Sequence, residues 1–388
     1  PTPMPMPEAA PPPPPADNPF KVTVGAGVRS AIRFQNQTML PTGGLAKPDK
    51  MNDQFMDELN LELRTSGKVT DIIGWTGNFT VDGRSRAEHG IGAPIAFQAQ
   101  ALDVIAQLDF MDEFHVWMGR MLTPSDRSNF SGPWFMAPWN YSGGTAFGYF
   151  GPRGTEEVGR EVGATVWGDI AKGKFKYYVS LLDLDGNYGV GTKGFASENP
   201  LFSARLSYAF IGSEPGFYGS SAYYGGQDIV ALGAAFQYQK DFHCIAGTWN
   251  CGGVGGPTGA KDNLVEFNAD FLAEKKLEAG TPGIEAAYYH ESGDTRSFND
   301  FFYVMPTFTT GEVLPAKGKL NALFRFQMAK LGEGDAKSTV TVFEPSVAYL
   351  FKDYFAKVQL SYTYAKSKPE VGDSGKAQYI QLGFQVQQ

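Results

Sequence analysis

The sequence predicts an all-β chain: a transmembrane antiparallel β-barrel of about sixteen strands, with its long third outer loop folded inward. Three observations carry this. Apolar and polar residues alternate with a period of two in segment after segment. The segments run to about 10–14 residues, longer than the ~5–6 typical of soluble sheets and suited to a tilted bilayer crossing. The connections alternate short and long, as in barrels with tight turns at one end and extended loops at the other.

Composition agrees. A chain of 388 residues with 47 Gly, 30 Phe and 18 Tyr but 19% charged residues suits strands and aromatic girdles. No window of 18 or more apolar residues occurs, so a transmembrane helix is excluded. A net charge of −8 without a Lys/Arg run argues against nucleic acid as partner. The chain begins at Pro1 without Met, which reads as a processed product, with export inferred. Cys244 and Cys251, separated by six residues in a Gly-rich stretch, are expected to form a small loop disulfide.

Along the chain, residues 1–18 are a Pro-rich, disordered leader favouring polyproline II, either a flexible remnant or a tether making periplasmic or cell-wall contact. Residues 19–388 are the barrel. In the first strand Val22, Val24, Ala26, Val28 and Ile32 share one face and Arg29, Arg33 and Gln35 the other. Leu59, Leu61 and Leu63 then oppose Glu58, Asn60, Glu62 and Arg64, and Trp75, Phe79 and Val81 oppose Thr76, Asn78 and Thr80. Residues 102–110 and 264–273 repeat the pattern, and Val358, Leu360, Tyr362, Ile380, Leu382 and Phe384 close it. Further strands fall at 114–121, 163–170, 175–183, 201–210, 229–241, 284–291, 301–309, 320–330 and 339–351. The 301–309 strand is the weakest, being interrupted by Pro306. Short turns are expected at 65–68, 111–113, 171–173 and 352–353, and long loops at 36–53, 83–95, 123–157 and 242–262. Connections 211–228 and 310–319 break the rule that turns at their end are short.

Enzyme chemistry is nearly absent. His89, His115, His243 and His290 are scattered without ligand spacing such as HExxH, so no metal, cofactor or catalytic site is expected. A lipase or protease with a rim Ser/His pair is the enzyme alternative, with no motif behind it.

The loop 123–157 is rich in aromatics, including Phe130, Trp134, Phe135, Trp139 and Tyr141. So many rings in water would be an aggregation hazard, so the loop is expected to pack on a surface: the inner wall, or else a subunit contact. The charges assigned to the narrowing are Arg120, Asp126, Arg127, Arg153, Glu156 and Glu161. Arg120 shares parity with the apolar Phe114, Val116 and Met118, so it needs a bulge to face inward. On the lumen wall the alternation places Arg29, Arg33, Glu58, Glu62, Arg64, Asp103, Asp109, Arg205 and Arg325, with Lys174, Lys176, Lys357, Asp169, Glu266 and Asp270 in support. The two signs balance, and cross-strand pairs such as Arg29 or Arg33 with Glu58 or Glu62 are expected.

Several stretches together resemble the phosphate-selective porin O and P family. They are Gly119-Arg120 through Thr123-Pro124 into the long loop, Val162–Gly168, Phe175–Asp183, Asn199–Tyr208 and Tyr223–Tyr238. The resemblance implies a sixteen-stranded trimeric porin of the bacterial outer membrane with its third outer loop folded inward. The chain departs from the family's basic lanes, because its lumen charges balance, and from the family's terminal aromatic, because it ends Phe384-Gln-Val-Gln-Gln. The expected function is passive diffusion of ions and small hydrophilic solutes. The expected partners are outer-membrane lipid, lipopolysaccharide and two further copies of the chain. The alternative is a structural, tethering barrel with an occluded lumen.

Overall fold

The computed structural model describes the chain except residues 1–20, 40–48, 85–95, 143–158, 184–198, 245–260, 293–298, 314–317, 333–336 and 372–373. Sixteen strands stand among the described residues: β1 (Lys21–Met39), β2 (Asp49–Lys68), β3 (Ile73–Arg84), β4 (Ala96–Met111), β5 (Phe114–Leu122), β6 (Arg160–Ile170), β7 (Phe175–Asp183) and β8 (Leu201–Ile211) make the first half. The second half is β9 (Ile229–Cys244), β10 (Lys261–Glu274), β11 (Thr281–Ser292), β12 (Asp300–Val313), β13 (Gly318–Leu331), β14 (Ser338–Lys352), β15 (Ala356–Pro369) and β16 (Gly375–Gln387). Each strand pairs antiparallel with its sequence neighbours, and β1 closes the barrel on β16 through the register Gly27↔Gln387 to Thr38↔Lys376. No described helix is long and apolar enough to cross a membrane.

The faces are inverted relative to a soluble protein. Along β1, Val28, Ile32 and Phe34 are exposed while Arg29 and Arg33 are buried. On β15 and β16, Leu360, Tyr362, Ile380, Leu382 and Phe384 are exposed, whereas Lys357, Gln359, Ser361, Gln381 and Gln385 are buried. An apolar exterior around a polar interior is what a barrel in lipid requires.

Several expectations need correction. The turn expected at 65–68 lies at 69–72, because β2 and β3 stay paired out to Lys68↔Gly74. The β1–β2 ladder likewise continues to Met39↔Asp49, so 36–39 and 49–53, expected in the loop, are strand. Connection 310–319 is short, since β12 runs to Val313 and β13 starts at Gly318. Pro306 does not end β12. It stays paired with Ile284 on β11, and on the β13 side the ladder lapses at Met305 and Pro306, which spares a proline the amide it cannot supply. Residues 223–228, part of a stretch resembling a middle strand, lie in the β8–β9 connection instead.

Bulges are the feature that alternation cannot show. One falls in β4 opposite Asn78/Phe79, leaving Leu102 as the extra residue. On the neighbouring β5, Gly119 sits at φ +130°, where an added Cβ would drive into the Val104 carbonyl. Gly119→Ala is therefore expected to destabilise the barrel by on the order of 1–3 kcal/mol, read as a lower urea midpoint of the detergent-folded protein.

Candidate functional site: a lumen entered from both ends

The β5–β6 connection folds onto the inner wall through its described part, Thr123–Ser142. A short helix, α1 (Arg127–Ser131), is capped by Asp126, whose carboxylate accepts from Ser128 N at 3.1 Å. Beyond it, Trp134, Met136 and Trp139 are almost wholly buried. Trp134 donates its indole N–H to Glu62, and Trp139 donates to Glu58 at 2.9 Å. Wall side chains in turn satisfy the loop's carbonyls: Lys357 Nζ donates to Met136 O at 2.9 Å, Arg29 to Trp139 O at 2.9 Å, and Gln385 to Trp134 O at 3.0 Å. The two indoles fit against glycines, because a Cβ on Gly27 would lie 2.6 Å from Trp134 and one on Gly383 2.6 Å from Trp139. Arg29 completes the seat, with its guanidinium 4.3 Å from the Trp139 ring centre.

A second segment enters from the opposite, short-turn end. The β8–β9 connection, 212–228, is bound to the wall along its length. Lys176 Nζ donates to Gly216 O at 3.1 Å, Asp169 accepts from Gly216 N at 2.8 Å, and Tyr178 OH donates to Phe217 O at 2.8 Å. Farther along, Ala222 N donates to Tyr354 OH at 2.7 Å and Ser221 donates to Glu285. Phe217 inserts among Trp117, Trp167 and Tyr178 of the wall, stacking on Trp117 at 4.6 Å between centroids.

The two segments meet inside the barrel. Gly219 N donates to Phe130 O at 3.3 Å and Ser221 N to Phe135 O at 3.2 Å. Arg127 forks onto Glu214 at 2.5 and 2.8 Å, and its Nε lies 3.5 Å from Asp270 of β10. Asp270 in turn receives Arg205 of β8 at 2.5 and 3.0 Å. This chain of two guanidiniums and two carboxylates, all buried, fastens loop to turn and both to the wall. Burial alone would raise the Glu214 carboxyl, but the paired Arg127 holds it down at about 2. Burial raises the Asp126 carboxyl above the usual carboxylate range, against the hydrogen bond it accepts from Tyr289.

Several other wall charges are also paired. Arg29 meets Glu58 at 3.1 Å, Arg64 meets Glu62 at 2.8 Å, Arg160 meets Asp103 at 2.7 Å, and Arg325 meets Glu344 at 2.8 Å. Arg33 lies 4.2 Å from the Tyr379 ring centre, and Asp109 contacts His115 at 2.8 Å. Of the charges assigned to the narrowing, the structure brings Asp126 and Arg127 together at the meeting point. Glu161 is buried on β6, opposite Met121. Arg120 keeps its outward parity, with its Nε on the Leu102 carbonyl at 3.1 Å beside the β4 bulge. Arg153, Glu156, Cys251 and the Cys244 side chain lie outside the described residues.

Sequence reasoning missed Glu214, Arg160 and Phe217. Arg160 lay just past the loop, and nothing local singled it out. The signal for the other two was a turn at the short-turn end that is too long and holds Phe217, Tyr218, Tyr223 and Tyr224.

Among solved structures, the chain is similar to outer-membrane proteins of this architecture. It resembles OprB of Pseudomonas putida at 12% identity and TM-score 0.58, covering 96% of this chain and 95% of that one. It resembles a loop-deletion mutant of OmpT, an outer-membrane protein of Vibrio cholerae, at 15% identity and TM-score 0.55, covering 95% and 100%. The anion-selective porin from Comamonas acidovorans matches at 12% identity and TM-score 0.54, covering 95% and 100%. No family model matches the chain, and no curated protein matches it in sequence. At these identities the likeness shows the fold, a closed sixteen-stranded barrel of the porin type.

Proposed function

We propose that the chain is a bacterial outer-membrane porin that passes ions and small hydrophilic solutes down their gradients. The observation that carries this is the inverted barrel: an exposed apolar exterior around a wall lined with charges and amides, narrowed by an inserted loop. The outer-membrane channels among its structural relatives support the reading. Many of the wall charges are matched into pairs, so neither strong ion selectivity nor a basic lane for phosphate is proposed. A homotrimer embedded in lipid and lipopolysaccharide is the assembly that accompanies this reading, and residues 1–18 are proposed to reach periplasmic or cell-wall partners.

Planar-bilayer recording under a salt gradient tests the proposal. Stepwise openings are expected, and the sign of the reversal potential reports which of the lumen charges dominate conduction. One observation favours a second reading, an occluded barrel that acts by holding partners: the two inserted segments are joined by backbone hydrogen bonds inside the lumen. Silence from demonstrably folded protein would establish that second reading in place of the first.

A further inference from the structure

The two inserted segments leave between them and the wall a cavity of about 460 Å³, within the range of about 300–1,000 Å³ usual for small-molecule sites. We propose that this cavity is a solute-binding site on the conduction path, and that it takes a small uncharged solute with one apolar face and several hydroxyl or amide groups. The inference rests on the channel reading and names the class of solute that the channel retains.

Two unlike walls make the site. One is apolar, supplied by Pro133 and Phe135 of the loop and Tyr218 of the turn. Phe135 and Tyr218 keep 36% and 38% of their surface exposed although both lie within the barrel, so ring surface is available to a partner. The other wall is polar and comes from the barrel itself: Glu62, Arg64, Asp103 and Arg160.

The polar wall carries charges but offers no unmatched charge. Glu62 is held by Arg64 at 2.8 Å, and Asp103 is held by Arg160 at 2.7 and 3.3 Å and by Asn78 at 2.6 Å. Glu214, at the cavity edge, is answered by Arg127. An entering anion or cation would lose hydration without finding a free counter-charge, because breaking a buried pair costs more than a new one returns. A neutral polar group meets a different situation. A carboxylate has about four acceptor sites, and the bonds on Glu62 and Asp103 leave some open to a hydroxyl or amide donor. An apolar face lying on Phe135 and Tyr218 at the same time would exclude water from both rings.

The test is solute block of single-channel current at fixed salt, with phenyl glucoside as the neutral probe and inorganic phosphate and choline as charged ones. Phenyl glucoside is expected to interrupt the current at a concentration about tenfold lower than either ion, a difference of ~1.4 kcal/mol. Tyr218→Ala and Phe135→Ala, checked for folding by heat-modifiable mobility, are each expected to raise the half-blocking concentration severalfold, measured against their own open current. Equal block by all three probes, or stronger block by phosphate, overturns the site while the channel reading stands. Absence of any openings overturns the channel reading. The site is then decided by titrating phenyl glucoside against tryptophan fluorescence of the folded barrel, where quenching lost in Tyr218→Ala upholds the cavity as a binding site and no response overturns it.

Discussion

Glu214→Gln is expected to raise single-channel conductance severalfold and to lower the stability of the folded barrel by about 3–5 kcal/mol, the usual penalty for removing one partner of a buried pair. The substitution keeps the shape of the side chain and removes the charge that Arg127 grips with both guanidinium nitrogens. Arg127 then stays buried beside Asp270, which is already engaged by Arg205. The turn loses its ionic fastening to the loop and is left with two backbone hydrogen bonds to it and with its wall contacts, which is expected to let it move within the lumen. The same pair sets an acid limit. The Glu214 carboxyl titrates at about 2 in the folded protein rather than at the ordinary 4.5, so its contribution is complete above about pH 4.5 and is lost as the pH falls through about 2. That shift corresponds to on the order of 3 kcal/mol. Wild-type conductance should therefore show no opening of this kind between neutral pH and about 4.5, while the variant is open throughout. Conductance equal to wild type in a folded Glu214→Gln barrel would show that the turn's wall contacts and backbone bonds hold it without the ion pair.

The second large effect is expected from the glycine seats. Gly27→Val and Gly383→Val bring methyl groups into the space of the Trp134 and Trp139 indoles, whose atoms lie 2.6 Å from where even a Cβ would stand, so each ring must leave. Losing such a ring from its seat is worth up to about 3–5 kcal/mol, the range for truncating a buried tryptophan. Tryptophan emission should shift to the red and conductance should rise, because the loop loses the ring packing that seats its middle on the wall. Gly311, which has open space where a Cβ would go, provides the control: Gly311→Val should change neither signal. An unshifted emission in both variants would mean that the ring packing does not hold the loop.

Much of this was legible in the sequence for a physical reason. A strand with lipid on one face and water on the other must alternate, so Val28, Ile32, Leu360 and Ile380 against Arg29, Arg33, Lys357 and Gln381 announce both the strand and its orientation. Aromatic excess in loop 123–157 announced that it packs on something, and Thr123–Ser142 does so. Facing allowed Arg29 or Arg33 to meet Glu58 or Glu62, and of these the structure shows Arg29 with Glu58. What stayed hidden depends on partners far apart in the chain. Arg127 and Glu214 meet only because one segment descends from each end, and no local pattern encodes that. Bulges such as the one at Leu102 were hidden for a similar reason, since an extra residue shows only in the register with a neighbouring strand.

The seats of the two indoles also bear on how the chain folds. Gly27 belongs to the first strand and Gly383 to the last, and the loop between β5 and β6 touches both, together with Arg29 on one side and Gln385 on the other. Joining the first strand to the last is the step with the heaviest loop-closure entropy, because the partners lie at opposite ends of the sequence. A loop that grips both edges ties them together independently of their ladder. The segment that narrows the finished lumen thus also bridges the closing seam, and variants that unseat Trp134 or Trp139 are expected to refold into detergent more slowly than their loss of stability alone would explain.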